Sequence, residues 1–343
     1  MNSMNHSTMI INQQNSNELH GYEDQNKEKE SFLSQLPKTK GWLGSSSTLC
    51  LYQNFWCPPT IVPNIISFQE HFQALDQDII LASKPKSGTT WLKALLFSII
   101  NRANTTLSNT PLLSSNPHEL VPFFEFNLYA NNQKNPHLGS IPAPRLFSTH
   151  IPYDSLPKSI TESQSRIVYI CRNPLDTIVS HWHFANQIDE DDHLNHCSSK
   201  WSLEEFVEAY CNGVEVYGPF WSHFLGYWKQ SVKNPQKVMF FKYEDLKKDT
   251  KTQVKRLAEF VGFPFSLEEE TLGIVDEILE FCSLKNLKEL DVNKHGKFMP
   301  YFENKSYFRK GEVGDWVNHL SSDMVEHVEK LIHEKLTSSG LIL

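Results

Sequence analysis

The 343-residue chain is 39% hydrophobic and 12% aromatic, enough to bury a large core, and it carries a net charge of −8. This acidic balance argues against a general nucleic-acid or membrane-surface binder, and no apolar stretch is long enough to span a bilayer. Six scattered cysteines without a C-x-x-C pair, and an N-terminus unlike a secretory leader, predict free thiols in the cytoplasm.

Residues 1–30 are rich in Asn, Gln, Ser, Glu and Lys, a composition that predicts a disordered tail. No proline-rich or glycine-rich linker divides the remainder, and no internal repeat is evident. We therefore expect residues 31–343 to form a single domain.

Short apolar runs alternate with helix-like segments through the middle of the chain. Four runs are strand-like: Ile79–Ala82, Arg145–His150, Arg166–Cys171 and Lys237–Tyr243. Four segments are predicted helices: Trp91–Asn101, Leu175–Gln187, Leu203–Asn212 and Thr252–Val261. Because the runs are apolar rather than alternating, as buried parallel strands are, the pattern predicts an α/β fold with a central parallel sheet.

The segment between the first run and the first helix is rich in groups that bind anions. A lysine, three hydroxyl residues and a glycine stand at a predicted helix start, where backbone N–H groups are free and the helix dipole is positive. The segment comprises Lys86, Ser87, Gly88, Thr89, Thr90 and Trp91. It differs from the G-x-x-x-x-G-K-[ST] loop of nucleoside triphosphatases. We expect a site for a phosphate or similar tetrahedral anion rather than a simple helix cap.

Two further segments carry cations that suit a second anionic group. Arg172 follows the third run directly, at the sheet edge where α/β proteins bind ligands, and Ser180 lies about two helical turns further on. Arg309, Lys310 and Gly311 form a second basic turn. Each feature alone is also typical of a structural or surface charge, but with the first loop they predict one ligand with two separated anionic groups.

Residues 187–199 are polar and acidic and contain both aspartates and histidines. A metal site is one interpretation, but the segment has no rigid element to fix a coordination geometry. We favour a solvated loop or lid segment and expect no metal.

Three segments together resemble the cytosolic sulfotransferases, in particular the soluble plant branch. They are Pro85–Trp91, Arg172–Ser180 and Arg309–Trp316, in the order and spacing of that family. The resemblance runs from about Phe32 to near the C-terminus. It implies a three-layer α/β sandwich related to the P-loop nucleotide kinases, the donor 3′-phosphoadenosine 5′-phosphosulfate (PAPS), and no metal.

The resemblance also implies roles for individual positions. The 5′-phosphosulfate would be held by the segment from Lys86 to Trp91, and the 3′-phosphate by Arg172, Ser180, Arg309, Lys310 and Gly311. The adenine site would be lined by Tyr243, Cys282, Leu284 and Leu287. His150 takes the catalytic-base position of the family, and Lys86 would stabilise the leaving phosphate.

Aromatic residues near these positions predict a small, flat and mostly apolar acceptor that bears a hydroxyl group. Phe55, Trp56 and Phe184 are the candidate acceptor contacts, although each ring is equally typical of a core position. Within the plant branch a flavonol or another phenol is favoured, with steroids, hydroxyjasmonates and desulfoglucosinolates as rivals. The dimer motif of the animal enzymes is not evident in residues 317–329, so we expect a monomer.

Two other classes of function compete with this interpretation. A nucleotide or small-molecule kinase of related fold would require a magnesium-holding acid beside the anion loop, and the loop lacks the Walker pattern. A non-catalytic nucleotide-binding protein would not require His150 and Lys86 together. The sequence therefore favours a sulfotransferase with His150 as general base.

Overall fold

A computed structural model of the protein describes residues 30–41, 48–191, 201–299 and 302–343. The predicted disordered tail lies outside these residues, apart from Glu30, and so do residues 192–199 of the acidic segment. The helix Pro174–Asp191 continues beyond its predicted end. The first part of the segment expected to be a loop is therefore helical.

Three short strands form an antiparallel sheet near the start of the described chain. They are β1 (Lys38–Lys40), β2 (Thr48–Tyr52) and β3 (Phe55–Cys57), in the order β1-β2-β3. Gln53 and Asn54 join β2 to β3 with φ angles of 47° and 66°, as a tight two-residue hairpin requires. The sequence did not predict this sheet, because such short strands show little periodicity.

Four parallel strands of the described chain form the central sheet. They are β4 (Ile79–Ser83), β5 (Leu146–Thr149), β6 (Arg166–Cys171) and β7 (Val238–Lys242), in the order β5-β4-β6-β7. Each pair of neighbours is parallel. All four strands agree with the predicted apolar runs to within one residue at each end, so the predicted parallel α/β sheet is confirmed.

The side chains of β4 alternate between two hydrophobic clusters, one on each face of the sheet: Ile79 belongs to one and Ile80 to the other. Helices that contribute to the first cluster include Thr89–Asn101 and Thr250–Val261. Helices that contribute to the second include Val62–His71 and Phe220–Lys233. Because helices cover both faces, the predicted three-layer sandwich is confirmed.

Shorter elements make up much of the remaining described chain. Further α-helices include Pro117–Leu120, Lys158–Glu162, Leu203–Cys211, Tyr243–Lys248, Leu267–Thr271, Ile274–Phe281, Leu284–Glu289, Asp291–His295 and Ser322–Leu336. A hairpin of β8 (Lys297–Met299) and β9 (Phe302–Glu303) precedes the basic turn. No helix in the described ranges is long and apolar enough to cross a membrane. The same ranges contain no group of three or more His, Cys, Asp or Glu side chains that could hold a metal ion.

Parallel strands bring their carboxyl ends to one edge of the sheet. The first residues beyond these ends are Lys84 after β4, His150 after β5, Arg172 after β6 and Tyr243 after β7. This edge is where open α/β sheets bind ligands. The fold thus gathers four segments that are far apart in the sequence.

Candidate active site

The anion loop runs from the end of β4 into the helix Thr89–Asn101. Gly88 is the N-cap of this helix with a φ of 104°, which favours glycine. A Cβ at this position would lie 2.7 Å from Cδ2 of Tyr243. The absence of a side chain therefore lets the loop pack against the ring that follows β7.

The hydroxyl groups of the loop lie among polar neighbours. Thr89 Oγ1 lies 2.7 Å from Ser83 Oγ, and Thr90 Oγ1 lies 3.0 Å from Nε2 of His118. Ser87 Oγ is buried and has no hydrogen-bond partner among the described residues. Together with the free N–H groups of a helix start, these hydroxyls suit a tetrahedral anion.

Lys86 occupies the loop with a φ of 67°, and its Nζ lies 4.0 Å from the centre of the Phe184 ring. Burial, and then the positive charges of Arg309 and Arg172, lower the pKa of Lys86 to about 7. Three cations from separate segments thus converge on one place. Such convergence is the electrostatic signature of a site for a strongly negative ligand.

Arg172 is buried, and main chain and aromatic contacts orient it. Its guanidinium lies 4.6 Å from the centre of the Tyr243 ring, and Nη2 donates to the carbonyl oxygen of Glu312 at 2.5 Å. Asp176 lies 3.5 Å from Nη2 and accepts from two backbone N–H groups of the basic turn 309–316. The helix after β6 and the basic turn are therefore held together at the site.

Arg309 and Lys310 share one buried carboxylate. Their side chains donate to different oxygens of Asp315, at 2.6 Å and 2.7 Å. Burial opposes ionisation of Asp315, but the hydrogen bonds from Lys310 and Arg309 outweigh it and hold its pKa well below the ordinary value. The Asp315 carboxylate therefore holds both cations in position at the site.

Tyr243 and the basic turn form one wall of the cavity. The Tyr243 hydroxyl donates to the carbonyl oxygen of Gly311 at 2.8 Å. Gly311 has a φ of 64°, and a Cβ there would lie 2.4 Å from Cδ2 of Leu284. Leu287 and Trp91 line the same cavity. Close packing of the turn therefore creates an apolar and aromatic surface beside the cations.

His150 is fixed in one tautomer. Its Nδ1 lies 2.6 Å from the carbonyl oxygen of Ser83, which can only accept, so Nδ1 carries the proton and Nε2 presents a lone pair. Burial lowers the pKa of His150 to about 3, so the imidazole is neutral at physiological pH. This is the state that a general base requires.

Glu125 fixes the backbone that carries His150. One carboxylate oxygen accepts from the backbone N–H of His150 at 2.7 Å, and the other accepts from the hydroxyl of Thr149 at 3.0 Å. Burial raises the pKa of Glu125 to about 7. The imidazole is therefore held from both sides, through its ring and through its main chain.

Aromatic rings surround His150 on the cavity side. The ring centres of Phe123, Tyr217 and Phe126 lie 4.7, 5.6 and 6.1 Å from that of His150. These rings and Phe184 line the same cavity as the anion loop. We call the part of the cavity lined by Phe123, Phe126 and Tyr217, beside His150, its aromatic half. The part lined by Lys86, Arg172 and Arg309 is its cationic half.

Most of the predicted site residues line this cavity. They are Lys86, Gly88, Thr89, Thr90, Trp91, His150, Arg172, Ser180, Phe184, Tyr243, Leu284, Leu287, Arg309, Lys310 and Gly311. Ser87 is buried within the loop instead. Cys282 is buried behind the cavity wall, with its sulfur 3.3 Å from Ser98 Oγ.

The two aromatic residues of β3 are not cavity-lining residues, unlike the prediction for them. Phe55 is 2% exposed and stacks on Tyr217 with 6.0 Å between ring centres. Trp56 pairs with Val216. Tyr217 and Val216 line the cavity in their place, because the segment that carries them pairs with β3.

Sequence reasoning missed three acids that shape the site: Glu125, Asp176 and Asp315. Asp176 lies four residues after Arg172 in a predicted helix, a spacing that places the two side chains together. Asp315 lies within the basic segment Arg309–Trp316. Glu125 offered no comparable signal, because its partners lie about 25 residues away along the chain.

The chain resembles known proteins over most of its length. Residues 76–340 match the family model described as the sulfotransferase domain. Cytosolic sulfotransferase 15 of Arabidopsis thaliana is 49% identical over 318 residues, which cover 92% of this chain and 86% of that protein. Cytosolic sulfotransferase 14 of the same plant is 47% identical over 320 residues, with coverage of 92% and 90%.

Solved structures give the same result. A sulphotransferase of Arabidopsis thaliana is 40% identical, with a TM-score of 0.72 over 94% of this chain and 97% of that chain. Mouse sulfotransferase SULT7A1, solved in complex with PAP, is 26% identical, with a TM-score of 0.66 over 85% of this chain and 95% of that chain. The resemblance drawn from the three motifs is confirmed, and the chain belongs to the sulfotransferase family.

Proposed function

We propose that the protein transfers the sulfuryl group of PAPS to a hydroxyl group of a small acceptor in the cytoplasm. The observation that carries the proposal is one cavity in which His150 lies near cations from three segments, represented by Lys86, Arg172 and Arg309. Two anion sites match a donor with two anionic ends. The PAP complex of the mouse relative supports the donor, and the cytosolic relatives support the location.

The side chains present fit this donor. Arg172 Nε and Arg309 Nε are buried and make no hydrogen bond within the described part of the chain, so each has a donor left for a phosphate. The rings of Trp91 and Tyr243, 5.7 Å apart, offer an aromatic surface to adenine. Lys86 and the helix start would hold the 5′-phosphosulfate.

PAPS supplies the activated sulfuryl group, and the residues of this chain orient the reactants and move one proton. Nε2 of His150 accepts the proton of the acceptor hydroxyl. Lys86, as an ammonium group, stabilises negative charge on the phosphate that leaves. The Ser83 carbonyl and Glu125 keep the imidazole in its tautomer and position.

Calorimetry with three nucleotides tests the donor. We expect 3′-phosphoadenosine 5′-phosphate (PAP) to bind without magnesium, more tightly than ATP. PAP should also bind more tightly than AMP, which lacks the 3′-phosphate; one charge-assisted contact contributes about 1.5–3 kcal/mol, or roughly 10–150-fold in affinity. Equal affinities for PAP and ATP, or a magnesium requirement, would favour the kinase alternative.

For the acceptor we propose a flat phenol, with flavonols favoured. The flat rings of Phe123, Phe126 and Tyr217 beside His150 support this class, because offset stacking rewards planar ligands. A screen with radiolabelled PAPS should show turnover of flavonols above that of steroids, hydroxyjasmonates and desulfoglucosinolates. Turnover of a non-aromatic acceptor alone would overturn this choice and leave the donor proposal intact.

A further inference from the structure

A fully buried ion pair at the carboxyl edge of the sheet has no part in the chemistry above. Lys84 follows β4, and Glu215 stands shortly before the helix Phe220–Lys233. Lys84 Nζ lies 2.5 Å from a Glu215 carboxylate oxygen and 3.2 Å from the carbonyl oxygen of Val216. Both side chains are 0% exposed. The pair thus joins two segments that are 131 residues apart.

Burial of an ion pair is by itself weak evidence of a stabilising role. Removing two charges from water is costly, and apolar side chains of similar volume are often as stabilising or more so. Burial lowers the pKa of Lys84 and raises the pKa of Glu215 to about 7, which reflects this cost. The position of the pair is more informative than its energy.

On one side the pair holds the loop 213–219, whose backbone is strained. Tyr217 has a φ of 59°, a conformation that a bulky residue keeps only when its surroundings impose it. Its N–H donates to the carbonyl oxygen of Trp56, and the N–H of Trp56 donates to that of Gly218. A Cβ on Gly218 would lie 2.1 Å from Cγ of Glu215. The Glu215 side chain therefore packs directly on the strained backbone.

The loop and the lysine lead to different parts of the cavity. Val216 and Tyr217 line the aromatic half, beside His150. Lys84 begins the anion loop, and its carbonyl oxygen accepts from the N–H of Ser87 at 3.3 Å. The pair is therefore a direct link between the wall beside the proposed base and the proposed donor loop.

We propose that the Lys84–Glu215 pair is a positioning element that couples the donor loop to the acceptor wall. Neither residue touches the reacting groups; they act through the backbone that carries Val216 and Tyr217. Binding of the donor then orders the surface against which the acceptor packs. The inference rests on the proposed donor site.

Hydrogen–deuterium exchange with PAP as the probe tests this coupling. In the native protein, PAP should slow amide exchange in residues 84–91 and also in residues 213–219. In the variant Lys84→Met/Glu215→Leu, which leaves no charge buried alone, PAP should still protect 84–91. Its protective effect on 213–219 should fall by roughly 5–150-fold, the usual range of coupling between sites.

A second buried ion pair provides the matched control. Arg145 and Asp78 lie 2.6 Å apart at the opposite edge of the same sheet, with side chains 9% and 0% exposed. The variant Arg145→Met/Asp78→Leu should keep the PAP effect on residues 213–219. Unchanged protection of 213–219 in Lys84→Met/Glu215→Leu, or none in the native protein, would refute the coupling. If PAP fails to protect 84–91 in the native protein, the donor site is refuted, and the coupling with it.

Discussion

The hydrogen bond between Nδ1 of His150 and the Ser83 carbonyl oxygen makes Nε2 the nitrogen that would accept a proton. Ser83 is the last residue of β4, so the strand that leads into the anion loop also sets the tautomer of the imidazole. A histidine in water has a pKa of about 6.5 and is partly protonated near neutral pH. Burial keeps His150 neutral there, and its base nitrogen is available without prior loss of a proton.

Replacement of His150 by alanine should separate chemistry from binding. Turnover with PAPS should fall by about 10²–10⁴-fold, the usual contribution of a general base. Affinity for PAP should change little, because the proposed phosphate contacts come from other residues. Steady-state kinetics and calorimetry measure the two effects. His71→Ala, which changes a partly buried histidine that does not line the cavity, is the control and should leave both unchanged. Retention of more than about a tenth of the turnover would contradict the role of His150.

Lys86 makes donor binding depend on pH. Its pKa is about 7 in the free protein, because burial and two arginines disfavour the ammonium form. A bound phosphate dianion favours that form and raises the pKa. PAP binding should therefore take up a proton at pH values just above 7. Affinity should fall as pH rises through the window between the free and bound pKa values, whereas below that window Lys86 is protonated in both states.

Calorimetry in buffers of different ionisation enthalpy measures this proton uptake. Lys86→Met removes the titrating amine and should remove the uptake along with part of the affinity. Lys310→Met provides the comparison: it removes a cation of the same cavity whose ammonium is paired with Asp315 and should retain the uptake. Uptake that persists in Lys86→Met would assign the proton to another group.

At the level of strands and loops, sequence patterns predicted one part of the site well. Apolar runs identified the four central strands, and parallel pairing places the residues after them at one edge. The positions of His150, Arg172 and Tyr243 follow from this rule alone. The loop 213–219 does not, because hydrogen bonds to Trp56 and an ion pair over 131 residues determine it.

Phe55 and Trp56 are a second case in which contacts distant along the chain decide what a side chain faces. Their aromatic character and position near the N-terminal side of the anion loop suggested acceptor contacts, but character does not specify which side of a strand faces a cavity. Pairing of β3 with the segment that carries Val216 and Tyr217 decided it. Long-range backbone pairing, rather than local residue type, thus determines which residues line the aromatic half of the cavity.

Gly88, at the start of the helix Thr89–Asn101, allows a test of the close packing between the anion loop and Tyr243. Gly88→Ala would impose the cost of a positive φ, about 1–2 kcal/mol, and would also push the new Cβ against the Tyr243 ring. Gly273 is also an N-cap with positive φ, at 80°, but a Cβ there meets nothing within 4 Å. Gly88→Ala should lose more stability than Gly273→Ala, because only its Cβ meets a ring, and Gly88→Ala alone should lose PAP affinity. Equal PAP affinities in thermal-shift and calorimetric measurements would show that the Gly88–Tyr243 contact does not shape the nucleotide site.

Across the fold, the carboxyl ends and the amino ends of the central strands differ in function. We call them the carboxyl edge and the amino edge of the sheet. The carboxyl edge holds converging cations and a strained loop that line the cavity, and a buried ion pair that does not line it but contacts that loop. The amino edge holds the Arg145–Asp78 pair, in which Nε and Nη2 of Arg145 donate to the two oxygens of Asp78 at 2.8 and 2.6 Å. This bidentate pair lies where β4 and β5 begin, and neither residue lines the cavity, so its removal should affect the fold and not the site.

Arg145→Met tests this division of tasks. It leaves the Asp78 carboxylate buried without its cation, and the free energy of unfolding should fall by about 3–5 kcal/mol. PAP affinity and turnover at a temperature where the variant is folded should stay within about twofold, because distant sites act independently. Lys251→Met removes the exposed pair with Asp276 and should change stability little. If Arg145→Met weakened PAP binding as strongly as it weakened the fold, the sheet would transmit strain from one edge to the other, and the carboxyl edge could not be treated as an independent site.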